Sequence, residues 1–372
     1  MAARAVTFAS HDCDRFVDDI KTKVAAHFES TGLGIKAGWT MILKTIIMVS
    51  GMVIPYALIM SNSLPGWAML AGCAVMGVAM AGIGFSVSHD ALHGAYSSNQ
   101  KVNAAIGFTF DLLGASGYMW KITHNVIHHT YTNIHGIDED LEVTPLLRLS
   151  PLAKHHPWQR FQHLYAPIAY SMSTINWVFV KDFDLFSRKN LGPYLDKKHP
   201  RMQYGLLVFS KLFALTWMLV LPLLFLNVAW WQVLIGFLTM HLIGGTILGV
   251  IFQLAHVVEQ TQHPVPDDLG RMPNGWLVHE MLTTANFCVG NRLLTWYCGG
   301  LNHQIEHHLF PKTCSVHYPA ISVIVRQVAQ EHGIPYHLNP TFAGAFGSHL
   351  KMLKRLGRAE SRNIVRAEAV AA

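Results

Sequence analysis

Four runs of this chain are long and apolar enough to cross a lipid bilayer: Ala37–Met60, Trp67–Val87, Leu206–Leu226 and Trp230–Val250. A helix rises about 1.5 Å per residue, so runs of this length bridge a hydrocarbon core of about 30 Å. Only 13% of the residues are charged and 51% are hydrophobic. A soluble domain carries about a quarter charged residues, and the shortfall points to a membrane protein. Lys44 interrupts the first run, so it either snorkels to the interface or faces protein. The turns Ser61–Gly66 and Asn227–Ala229 carry no charge, whereas basic residues collect in the central loop and towards both ends of the chain. The positive-inside rule then predicts cytoplasmic termini.

The expected fold is all-α: a polytopic membrane protein with four transmembrane helices and a cytoplasmic helical cap. Residues 1–36 read as a cytoplasmic segment, 37–312 as the membrane domain and 313–372 as a soluble helical tail with a basic end, Lys351–Arg366. The stretch Val102–Trp120 holds Asp111 and three glycines and predicts an interfacial helix, as does Ile168–Val180 within the basic loop. The first 28 residues lack the apolar core of a cleaved signal. Five cysteines without CxxC spacing argue against a disulfide framework or a zinc finger. The net charge of +6 is spread out, which fits contact with membrane lipid and implies no nucleic-acid partner.

Histidine is the second anomaly, at 23 residues. Three clusters stand out: His89 and His93, then His124, His128 and His129, then His303, His307 and His308 with Gln304 between them. On a helix, residues four apart share a face, so two rings can reach one ion. All three clusters fall on the side predicted to be cytoplasmic. Histidines scattered elsewhere, such as His11, His163, His241, His263 and His349, read as ordinary hydrogen-bonded residues. Imidazole donors suit iron, copper, nickel or zinc. A zinc site needs only three or four ligands, and the candidates here suffice for two ions.

His89-x-x-x-His93, His124-x-x-x-His128-His129 and Gln304-x-x-His307-His308, set on four apolar spans, resemble the membrane fatty acid desaturase family. The third box resembles its acyl-lipid, linoleoyl-CoA and front-end branch, in which Gln replaces the first His. The resemblance covers roughly residues 40–315. It implies two non-haem iron ions held by His89, His93, His124, His128, His129, Gln304, His307 and His308, with His256 at the end of the fourth span as a further ligand. His303 competes with Gln304. Phe252 stands where some relatives have Asn, with Gln253 beside it. Asp90, Glu306 and Asp138 are expected to accept ring N–H bonds from the ligands.

The implied reaction uses O₂ and two electrons to place a cis double bond in a long acyl chain carried on CoA or a lipid. No His-Pro-Gly-Gly haem motif occurs, so a separate electron donor is implied, of ferredoxin or cytochrome b5 type with its reductase. A narrow tunnel between spans and cap is expected to hold the chain. A membrane hydroxylase, a ketolase or a sphingolipid desaturase would share the three-box logic. A metal transporter would instead put its ionisable residues near the bilayer midplane.

Overall fold

The computed structural model describes residues 6–9, 14–141 and 145–359. His11, Cys13, Arg4 and the end of the basic tail from residue 360 lie outside the described residues. Among the described residues, four helices are long and apolar enough to span a membrane: Trp39–Met60, Gly66–Leu92, Arg201–Phe225 and Trp230–His256. The second and fourth run five and six residues further than the apolar runs. They carry His89 and His256 as part of the same rods, because a helix need not stop where its lipid-facing surface stops.

Small residues let the second and fourth spans touch. A Cβ on Gly77 would lie 2.6 Å from the Met240 carbonyl oxygen, and one on Gly244 would lie 3.2 Å from the Gly77 carbonyl oxygen. Such close approach is how helices associate where lipid removes the hydrophobic drive. Methionines 48, 52, 69, 76, 80, 218 and 240 fill the remaining space between the spans. Their flexible chains suit an irregular gap. Lys44 faces protein: it is buried, with its ammonium 6.0 Å from the Trp296 ring centre.

The stretch 102–120 is three short helices instead of one, Gln100–Gly107, Thr109–Leu112 and Gly117–Trp120. Gly114 breaks the run with φ of +88°, a conformation open to glycine. The segment 162–181 is likewise divided, into Gln162–Ser171, Ser173–Asn176 and a wide π turn at Trp177–Lys181. It exposes Leu164, Ile168, Met172, Phe179 and Val180, as an element lying in a membrane interface does. Thr174 donates to the His241 carbonyl (2.9 Å) and Ser173 to that of Gly245 (3.0 Å), tying this segment to the fourth span. His241 returns a ring contact to Thr174 at 3.1 Å and so has a structural part to play.

The cap is closed by Asp14–Thr31, Tyr318–Glu331 and Phe342–Leu356. A two-residue parallel pair, Asn286–Phe287 with Leu338–Asn339, joins the tail to the loop before the third box. The cap core packs Phe16, Ile20 and Val24 against Ile321, Val325 and Val328.

Candidate metal centre

Two of the histidine clusters are launched by π turns. Ile83–Ser88 is a π segment immediately before His89, and Lys121–His128 is another. Its i→i+5 closure brings residues four and five apart onto one side. His124 therefore faces both His128, with ring centres 5.0 Å apart, and His129, at 4.9 Å. A regular α-helix would turn His129 away. The third cluster begins the helix Gln304–Leu309, after a loop in which Gly299 and Gly300 take φ of +62° and +70°. A Cβ on Gly299 would come within 2.5 Å of the Phe85 carbonyl oxygen, so glycine allows this loop to seat on the π turn of the second span.

The boxes, distant in sequence, converge. His89, His93, His124 and His307 offer ring nitrogens within 4.8 Å of one another, and His128, His256 and His308 form a second such set. His129 stands between them, its ring centre 4.7 Å from His93, 4.6 Å from His307 and 4.3 Å from His308. The Gln304 amide points into the second set, 3.0 Å from His256 Nε2 and 3.4 Å from His308 Nε2. Turning the amide would present its oxygen instead. His303 belongs to neither set. It is buried on the side of Glu306, with Nδ1 3.8 Å from that carboxylate.

Outer partners fix which nitrogen points inward in four of the rings, His124, His128, His307 and His308. His124 Nδ1 meets Asp140 at 3.3 Å, and His128 Nδ1 meets both Asp138 oxygens at 3.1 Å. His307 Nδ1 meets the Tyr318 hydroxyl at 3.2 Å, and His308 Nδ1 meets Glu280 at 2.6 Å. The Nε2 atoms of His93, His124, His128 and His307 are buried without a hydrogen-bond partner. Buried polar atoms are nearly always paired, so such a group of inward lone pairs fits a metal.

The electrostatics agree. Burial, then mutual repulsion, holds His93, His129, His307 and His308 well below the usual imidazole range. Burial also takes His124 down to about 3 despite Asp140. At neutral pH these rings are uncharged and keep the lone pair a metal needs. For His128 burial acts in the same direction, but the Asp138 and Asp140 carboxylates together reverse it and raise the ring, which makes it a more basic donor.

Two of the expected outer carboxylates turn elsewhere. Asp90 is 3.6 Å from His89 Nδ1, but its Oδ2 accepts from the Ser315 backbone and hydroxyl, pinning the second span to the segment that follows the third box. Glu306 accepts from Asn286 (2.7 Å) and Tyr336 (3.0 Å), and burial pushes it up to about 7. Residues four apart share a helix face, but Glu306 is one and two positions from the ligating pair and so points away. Sequence reasoning missed Glu280 and Tyr318. Glu280 carried one faint signal, a carboxylate inside the apolar helix Trp276–Thr283. Burial pushes its carboxyl up, and the Thr132 hydroxyl and His308 share it. Glu280→Gln is expected to weaken metal binding about tenfold to a hundredfold, as read by competition with a chelator.

A cavity of about 490 Å³ lies against the centre and the last turns of the fourth span. His89, His124, Gln304 and Gln253 are among its lining, with Leu248, Phe252, Met172, Phe179 and Leu147 as apolar walls. Trp120 stacks on His124 with ring centres 4.4 Å apart and forms the wall beside it.

The family model for fatty acid desaturases matches residues 65–340. The sn-1 linoleoyl-lipid 6-desaturase of Synechocystis sp. is 37% identical over 344 residues, which cover 91% of this chain and 95% of that relative. The protein of the same description from Arthrospira platensis is 33% identical over 92% of each chain. The acyl-lipid (8-3)-desaturase of Physcomitrium patens is 32% identical over 95% of this chain and 74% of its own. The chain belongs to the fatty acid desaturase family and is a fatty acid desaturase of the membrane-embedded, histidine-rich kind.

Proposed function

We propose that this protein uses O₂ to place a cis double bond in a long acyl chain carried on a membrane lipid, at a centre of two non-haem iron ions. The observation that carries this reading is the apolar cavity ending on His89, His124 and Gln304. His89, His93, His124 and His307 hold one iron. His128, His256, His308 and Gln304 hold the other, and His129 lies between them. The irons, when bound, supply the oxidising power to take hydrogen from an unactivated C–H bond. Everything else is the work of the chain. Asp140, Asp138, Tyr318 and Glu280 keep His124, His128, His307 and His308, in that order, in one tautomer and one orientation. Phe110, Trp120, Leu248 and Phe252 exclude water and hold the acyl chain extended, so that one methylene pair rests beside the rings.

The relatives named for linoleoyl-lipid and position 6 favour a lipid carrier over CoA, and position 6 as the site of insertion. The active site and termini face the cytoplasm, supported by the uncharged turns at Ser61–Gly66 and Asn227–Ala229. Two electrons come from a separate protein of ferredoxin or cytochrome b5 type with its reductase. A membrane domain over residues 37–312 is flanked by cytoplasmic segments at 1–36 and 313–372.

Expression in a host supplied with linoleoyl lipids, followed by mass spectrometric location of double bonds, tests the reading. A new cis bond at position 6 is expected, with two irons per chain by elemental analysis. An alcohol or ketone would show a hydroxylase or ketolase instead.

A further inference from the structure

The cavity lining is mostly apolar. Besides the metal-facing residues, its lining includes one lysine or arginine among the described residues, Lys181. This residue closes the π turn Trp177–Lys181, where Phe179 and Val180 are exposed on the membrane-facing side. Its side chain is about one-fifth exposed, so it sits where the cavity meets the interface. The ammonium lies 5.1 Å from the Trp177 ring centre and donates to Asp140 Oδ1 at 3.3 Å. An ammonium has three donors, and this one long bond uses one of them. The other oxygen of Asp140 is 3.3 Å from His124 Nδ1. One carboxylate therefore separates a cation at the cavity mouth from a ring at the metal centre.

That short separation has a chemical meaning. An enzyme that counts from the carboxyl end of an acyl chain must fix an oxygen of that end, and only a few carbons can lie between it and the reacting bond. The methylenes themselves offer no handle. We propose that Lys181 binds the oxygen-bearing end of the lipid substrate, an acyl ester carbonyl or a head-group phosphate, and so sets where the double bond is placed. Asp140 holds the ammonium in register with His124. Lys181 is thus a positioning residue, and the proposal rests on the lipid-carrier reading given above.

The test compares wild type, Lys181→Arg and Lys181→Met, purified with their iron. The substrates are vesicles of linoleoyl phosphatidylcholine and of a phosphate-free linoleoyl glycolipid. KM, kcat, iron content and double-bond position are measured for each. Lys181→Met is expected to raise KM about tenfold or more at unchanged iron content and to scatter the bond position, while Lys181→Arg keeps the position. A KM effect on both lipids assigns the ester carbonyl, and an effect on phosphatidylcholine alone assigns the phosphate. If Lys181→Met keeps KM and bond position, with or without loss of kcat and iron, the lysine merely props Asp140 and the proposal is overturned. Should wild type desaturate neither lipid, the lipid-carrier reading itself fails, an outcome distinct from any result on the variants.

Discussion

His128→Ala is expected to abolish desaturation and to reduce bound iron, with a loss of metal affinity beyond the roughly hundredfold typical of an outer-partner change. The ring sits in the set with His256 and His308, and its Nε2 is buried without a partner. Its Nδ1 is held by both oxygens of Asp138. Removing the ring deletes a donor and also leaves the buried Asp138 without its ring partner. Elemental analysis for iron, beside an assay for double bonds, checks the prediction. The companion variant His303→Ala should keep its iron, because that ring lies outside both sets, towards Glu306. Full iron and normal turnover in His128→Ala would end the ligand assignment, and loss of iron in His303→Ala would reopen the choice between His303 and Gln304.

Asp182→Ala should cost about 3–5 kcal/mol of stability, the usual penalty for leaving a buried charge without its partner. Lys211 lies inside the third span, and its ammonium contacts Asp182 at 2.5 Å, the Gly114 carbonyl at 2.5 Å and the Trp177 carbonyl at 3.1 Å. Asp182 also accepts from the Ser116 backbone (2.8 Å) and from the Trp177 indole (3.1 Å). One pair thus joins the span, the turn at Gly114 and the segment that walls the cavity. Replacing both partners, as Asp182→Leu with Lys211→Met, should recover most of the loss, because a packed apolar pair pays no desolvation. Thermal unfolding in detergent distinguishes the two variants, and equal destabilisation in both would show that packing, not charge, matters at this joint.

These two sites differ in how much of them could be read in advance. The imidazoles of the boxes announce themselves by spacing, since residues four apart share a helix face whatever the rest of the chain does. The buried pair did not. Lys211 lies within an apolar run and Asp182 in a loop rich in basic residues, and nothing in either local sequence marks a partner. Their meeting depends on how the loop returns to the span. The same holds for Glu280, which is 28 residues from the ring it supports. Asp90 and Glu306 show the converse: sequence neighbours of ligands whose side chains serve other contacts.

Sequence alone determined the four membrane helices and the candidate ligands, because length, apolarity and helical spacing are local properties that lipid and metal read directly. Only the tertiary structure decided the π turns that bring His129 into line, which acids stand behind His124, His128 and His308, and the cavity beside them. A one-residue widening of a helix leaves no mark on composition, and a buried partner is chosen by packing between segments far apart in the chain.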